Sequence, residues 1–109
     1  QTGRRYWARA GTWLETERAE HRLAMTWLAA GDPAQARQHA LACLAIVDAQ
    51  PAPQPLERFF GHDALARAER AAGNPPGHAL ALATMRLCFD QLGADDQAWC
   101  RDTLVRQAA

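Results

Sequence analysis

The chain has no lysine and no serine, and its twelve basic residues other than histidine are all arginine. Without lysine there is no side chain for a phosphate-binding loop of the Walker type or for a Schiff base. Without serine there is no serine nucleophile. These absences exclude most familiar enzyme mechanisms, so we expect a protein that is not an enzyme and needs no cofactor.

Residues that favour β-sheets are also scarce. Only Ile46, Val47 and Val105 are both apolar and β-branched, whereas 25 of the 109 residues are alanine. Alanine has the highest helix propensity, and β-branched residues are the ones enriched in strands. A chain of this length is enough for one domain. The composition therefore predicts a single all-α domain over residues 1–109.

An excess of charge of either sign is missing as well, because 12 arginines balance 12 aspartates and glutamates. A neutral chain lacks the attraction that holds proteins on nucleic acid or on anionic membranes, so we expect neither partner. The longest apolar run, Leu41–Val47, is too short to span a bilayer, and no leader opens the chain. We predict a cytoplasmic protein. The first residue is Gln1 and not methionine, which is compatible with a fragment of a longer protein or with a processed chain.

Three cysteines, an odd number, argue against a disulfide framework. His39 and Cys43 have the i, i+4 spacing of two zinc ligands, but two further ligands at recognisable spacing are missing. Cys88 and Cys100 flank a predicted turn, where a disulfide would need their Cβ atoms about 4 Å apart. We expect three reduced, buried thiols, no metal and no disulfide.

Glycine and proline mark the ends of the predicted helices. Gly31-Asp32-Pro33 and Gly73-Asn74-Pro75 each combine a helix stop, a capping residue and a proline suited to a first turn. Three prolines form a loop over residues 51–55, and Thr12 with Glu15 matches a capping box. The predicted helices cover residues 12–30, 33–49, 55–72, 76–92 and 96–107. Gly93 would close the fourth helix, Asp95 would cap the fifth, and a short helical segment around Tyr6 and Trp7 would end at Gly11.

Apolar and small residues recur at spacings of three and four in these helices, which places them on single faces. Trp27 of the first helix is predicted to be buried against the small residues of the second, closing an antiparallel hairpin. The predicted buried faces are Leu23, Ala24, Trp27 and Leu28 in the first helix, Ala36, Ala40, Cys43, Leu44 and Val47 in the second, Leu65 and Ala66 in the third, and Ala79, Leu82, Ala83 and Leu87 in the fourth.

The order Leu23-Ala24, Trp27, Gly31, Ala36 and Cys43-Leu44 resembles a tetratricopeptide repeat of the bacterial type. A second unit is similar in Leu65-Ala66, Gly73 and Ala79, although Glu69 replaces the expected aromatic residue and Ala79 lies one position late. The resemblance implies a short right-handed superhelix of stacked hairpins, with repeats over residues 12–49 and 55–92 and a capping helix over residues 94–107. It also implies a scaffold that binds a protein segment in the groove between repeats.

Exposed positions on the first and third helices then form the candidate groove. Arginine forks suit carboxylates, so the predicted ligand is an acidic protein segment. The alternative is a solvated helix face on which Asp63 and Arg67, at i and i+4, pair with each other. The candidate residues are Arg18, His21, Met25, Phe60, Asp63, Arg67 and Arg70.

Two alternatives stay open at this point. The chain is either an interaction module or the helical-repeat region of a larger bacterial transcription or signalling regulator. Trp7, Trp13 and Trp99 have no place in the two-repeat core, and we expect them to cover the terminal faces of the array. Pairing of two copies into a homodimer through these tryptophans is the competing interpretation.

Overall fold

The computed structural model describes the backbone of residues 2–109 and the side chains of residues 13–109. Its described residues form five helices and no strand, which confirms the all-α prediction. In these residues no helix is both long enough and apolar enough to cross a membrane. The helices are α1 Thr2–Ala29, α2 Pro33–Asp48, α3 Pro55–Ala71, α4 Pro75–Asp90 and α5 Ala94–Ala108.

Both predicted hairpin turns are present. Gly31 and Gly73 have φ angles of 82° and 72°, in the left-handed region that glycine adopts without steric cost. After Gly31, the side chain of Asp32 accepts a hydrogen bond from the Gln35 backbone N–H and caps α2. Asn74 caps α4 in the same way. The two turns therefore have the same structure: a glycine ends one helix, and the next residue caps the following helix.

The helices stack as successive hairpins. Each helix packs against its neighbour in the chain, and α3 also packs against both α1 and α5. Helices α1, α3 and α5 consequently form one layer, and α2 and α4 lie on the other side of it. This order is the one expected of stacked helical repeats. The right-handed superhelix stays a prediction.

The predicted face of α2 is confirmed, because Ala36, Ala40, Cys43, Leu44 and Val47 are all buried. Helix α3 approaches this face closely at Gly61. A Cβ atom on Gly61 would lie 2.6 Å from Leu44 Cδ2, so the absence of a side chain lets the two helices meet. A second core lies between α3, α4 and α5 and includes Phe59, Met85 and Cys100.

Helix α1 begins earlier than predicted. It runs without a break from Thr2 through Gly11 and Thr12, so the capping box and the separate N-terminal segment are wrong. Glycine inside a helix costs only about 1 kcal/mol relative to alanine, which a long helix tolerates. Trp7 lies outside the residues whose side chains are described. Trp27, which was predicted to be buried, is partly buried, and Leu23 is 41% exposed.

The predicted face of α4 is also wrong apart from Leu82. Ala79, Ala83 and Leu87 are exposed, and the residues that face the core are Ala81, Leu82, Met85 and Cys88. All five residues from 79 to 83 are alanine or leucine. Several faces of this helix therefore have similar hydrophobicity, and packing decides which face is buried.

The boundary between α4 and α5 differs from the prediction as well. Helix α4 ends at Asp90, and Gly93 precedes α5 as its extended N-cap with φ of −71°. Asp95 lies inside the first turn of α5, where its charge favours the positive end of the helix dipole, instead of capping the helix.

Candidate functional site: two grooves along α3 and α5

A groove of about 430 Å³ opens where α1, α3 and α5 meet. We call it the aromatic groove. Trp99 of α5 is 67% exposed, and its ring lies 5.4 Å from that of Phe60, at an angle of 59°. Phe60 in turn packs edge-on against the buried Phe59 ring, 5.2 Å away. The groove is lined by Glu17, Arg18, His21, Leu56, Glu57, Phe60 and Trp99.

One ion pair crosses the rim of the aromatic groove. The guanidinium of Arg18 on α1 donates from two nitrogens to Glu57 Oε1 on α3, over 2.8 and 3.3 Å. The Arg18 side chain is 58% exposed and that of Glu57 is 17% exposed, so solvent screens part of the attraction. The pair joins the two helices, and the charge of Arg18 is already matched before any ligand binds.

Glu17 lies at the floor of the same groove and is only 1% exposed. Its Oε1 accepts a hydrogen bond from the Cys43 thiol over 3.2 Å, whereas its Oε2 has no hydrogen-bond partner among the described residues. Burial raises the pKa of Glu17, the Cys43 bond lowers it, and the neighbouring Glu57 carboxylate raises it further. A buried acid with one unsatisfied oxygen is thus part of the groove.

His21 shares this environment. Its Nε2 is buried and has no hydrogen-bond partner in the described part of the chain. Burial lowers the pKa of His21 more than the nearby Asp63 and Glu57 carboxylates raise it. The ring therefore favours its neutral form and adds no fixed positive charge to the groove.

Burial of Glu17 predicts a pH-dependent stability. The folded state holds the Glu17 proton more tightly than the unfolded state, so the free energy of unfolding that depends on this group falls as pH rises above about 4. Glu17→Gln removes that loss. We expect the stability of the Gln variant relative to the original protein to rise as the pH increases above about 4, as measured by urea unfolding.

The lowered pKa values of His21 and His62 act in the opposite direction, because an unfolded histidine takes up a proton more readily as pH falls. Both histidines are present in the original protein and in the variant, so their contribution cancels in the comparison. A difference in stability that does not change with pH would contradict the prediction.

A second groove, of about 420 Å³, lies between the C-terminal parts of α3 and α5. We call it the arginine groove. Arg67 Nε donates to both oxygens of Asp63, over 3.2 and 3.1 Å, and Arg70 donates to the main-chain carbonyl of Gln107 over 2.9 Å. Arg106 is exposed, and no ion pair is found for it among the described residues. The lining residues are Arg67, Arg70, Ala71, Arg106 and Gln107.

The structure distributes the predicted site residues over three places. Arg18, His21 and Phe60 line the aromatic groove, and Arg67 and Arg70 line the arginine groove. Of the other two, Asp63 is 3% exposed and pairs with Arg67, and Met25 is partly buried and packs against a core cluster of Ala24, Ala40 and Ala64. The pairing of Asp63 with Arg67 is the one that the i, i+4 spacing predicted.

Sequence reasoning missed two glutamates of the aromatic groove and the contribution of α5 to both grooves. Glu17 and Glu57 were not selected, because nothing in the sequence distinguishes a buried glutamate from an exposed one. Trp99 and Arg106 were assigned to a capping helix, although both line grooves. Trp99 packs beside Phe60 and keeps most of its surface exposed, while Trp13 is partly buried.

The candidate zinc ligands and thiols have other roles. His39 Nδ1 is hydrogen-bonded to Glu20 Oε2 over 2.7 Å, and the Cys43 thiol donates to Glu17. All three cysteines are free and buried, and burial raises the pKa of each thiol, which keeps it protonated. Within the described residues no group of three or more His, Cys, Asp or Glu side chains could hold a metal ion.

Comparison with known proteins adds no relative. No family model, curated protein or solved structure matches the chain. The tetratricopeptide resemblance accordingly rests on the residue pattern, and the functional argument rests on the two grooves.

Proposed function

We propose that this chain is a protein-interaction module that binds a partner segment along α3 and α5, across both grooves. The observation that carries the proposal is the aromatic pair. Trp99 leaves two-thirds of its surface in water beside Phe60, in a groove with apolar and charged walls. An exposed tryptophan next to polar groups is typical of residues that contribute strongly to protein interfaces.

The arginine groove supports the proposal that the same partner segment carries an acidic group. Of its three guanidinium groups, Arg67 has a carboxylate partner, Arg70 bonds to a neutral carbonyl, and Arg106 is exposed. The groove therefore has a local excess of positive charge in a chain whose net charge is zero. Arginine binds carboxylates through two parallel hydrogen bonds, so we propose an aspartate, a glutamate or a chain terminus as ligand here.

The spacing of the two grooves sets the length of the segment. Trp99 and Gln107 are eight residues apart on α5 and line different grooves. At 1.5 Å per residue they are separated by about 12 Å along the helix. An extended chain covers this distance with about four residues. The predicted ligand thus places an apolar or polar anchor about four positions from an acidic residue.

Loss of the tryptophan anchor tests the proposal. Peptides are selected on the protein from a phage-displayed library of random twelve-residue sequences, and their dissociation constants are measured by calorimetry. We expect Trp99→Ala to weaken their binding by about thirtyfold or more, because an aromatic anchor contributes about 2 kcal/mol or more.

Leu80→Ala is the matched control, since Leu80 is 72% exposed on α4, in the other layer. Its binding should stay within about twofold of the original protein. Selected peptides that bind the Trp99→Ala variant as tightly as the original protein, or that respond only to Leu80→Ala, would refute the proposal.

A further inference from the structure

The floor of the aromatic groove holds an acid that the fold leaves incompletely bonded. Glu17 is 1% exposed, and no described group bonds to its Oε2. A buried polar atom without a partner destabilises a protein, and more strongly if it is charged. Such a group at the floor of an open groove is a candidate for contact with a ligand.

The neighbouring side chains do not satisfy this oxygen. From α1, Arg18 directs its guanidinium to Glu57, and from α2, Cys43 bonds to the other oxygen of Glu17. From α3, Glu57 brings a second carboxylate near the first, and both its charge and its side-chain hydrogen bond with Glu17 oppose ionisation of Glu17. The groove thus contains two carboxyl groups and one guanidinium. The carboxyl groups therefore outnumber the positively charged groups by one.

The apolar walls define what should carry that charge. Leu56, Phe60 and Trp99 line the groove together with the two glutamates. A flexible methylene stem fits against such walls, and a cation near an aromatic face is attracted to the electron-rich face of the ring. An ammonium group has three N–H donors, enough to reach both carboxyl groups at once.

We propose that the aromatic groove binds a lysine side chain of the partner, with its ammonium group against Glu17 and Glu57 and its methylenes against Phe60 and Trp99. This inference rests on the proposed function and specifies the residue that the segment places in this groove. An acidic side chain is disfavoured here, because it would meet two carboxyl groups and an arginine that is already paired. The lysine proposed for this groove and the acidic residue proposed for the arginine groove should therefore lie about four residues apart in the partner segment.

The test uses three matched peptides, Ac-Ala-Leu-Xaa-Leu-Ala-Ala-Glu-Ala-NH2, in which Xaa is lysine, norleucine or glutamate. Each is titrated into ¹⁵N-labelled protein, and binding is followed at the indole N–H of Trp99. We expect the lysine peptide to bind about tenfold more tightly than the norleucine peptide, and the glutamate peptide to bind most weakly.

Glu17→Gln should bring the lysine peptide to the affinity of the norleucine peptide and leave the norleucine peptide within about twofold. Glu15→Gln is the matched control, because it makes the same side-chain change at an exposed position on α1 and should keep the preference. Glu57→Gln provides an independent second variant, with a reduced preference for lysine expected.

The inference is overturned if Glu17→Gln keeps the preference for lysine, if Glu15→Gln loses it equally, or if the lysine peptide fails to bind at a few millimolar. None of these results affects the proposed function, which depends on whether selected peptides need Trp99. If the selected peptides did not need Trp99 but the original protein still preferred the lysine peptide, only the proposed function would be refuted.

Discussion

Phe59→Ala is expected to lower the free energy of unfolding by about 3–5 kcal/mol. Phe59 is fully buried in the core between α3, α4 and α5, in one cluster with Met85 and Cys100, and lies edge-on to the ring of Phe60. Truncation leaves a cavity that this close-packed cluster can fill only in part. Urea unfolding followed by circular dichroism measures the loss.

The control for Phe59→Ala is Leu80→Ala on the exposed side of α4. Leu80 is 72% exposed, so we expect its substitution to change stability by no more than about 0.5 kcal/mol. A loss below about 1 kcal/mol for Phe59→Ala would show that this cluster is not the core. Because Phe59 also supports Phe60, the variant tests how much the aromatic groove depends on the core beneath it.

Local signals in the sequence predict the helices and turns well. Gly31 and Gly73 adopt the left-handed conformation that few other residues accept, and Asp32 and Asn74 cap the helices that follow. Each of these devices acts within about four residues, so the sequence is sufficient to recognise it. The buried face of α2 could be predicted for a related reason, because its small and apolar residues recur at spacings of three and four.

Tertiary packing decides the features that the sequence leaves open. Alanine and leucine occur on several faces of α4, and contact with α3 and α5 selects the one that carries Met85 and Cys88. The start of α1 was missed because Gly11 and Thr12 carry signals of a helix end and a helix start, and the helix continues through both. In both cases a local preference of about 1 kcal/mol is outweighed by the rest of the fold.

The candidate site depends on contacts between distant parts of the chain. The i, i+4 spacing predicted the pair of Asp63 and Arg67, but Phe60 and Trp99 meet only because α5 docks on α3. Burial of Glu17 could not be predicted either, since glutamate is among the residues least often buried. The interpretation as part of a larger regulator stays a prediction, because the geometry of the two grooves does not bear on what this chain is joined to.

Gln107 holds the end of α5 against the rest of the protein through a buried polar network. Its side-chain amide donates to Asp63 Oδ1 over 2.7 Å, its side-chain oxygen lies 3.1 Å from His78 Nε2, and its main-chain carbonyl accepts from Arg70. Asp63 and Gln107 are 3% and 4% exposed. Because α5 forms a wall of both grooves, this network positions the proposed binding surface.

Asp63→Ala is therefore expected to destabilise the protein by about 2–3 kcal/mol and to loosen α5 most. The substitution leaves the buried Gln107 amide without its acceptor, while Arg67, whose side chain is 38% exposed, can turn to solvent. Amide hydrogen exchange should show faster exchange in α5 than in α2, and peptide binding should weaken at both grooves. Asp102→Ala, at an exposed position of α5, is the control and should change neither. Equal loss of protection in α2 and α5 would mean that Asp63 stabilises the whole fold and does not position α5 in particular.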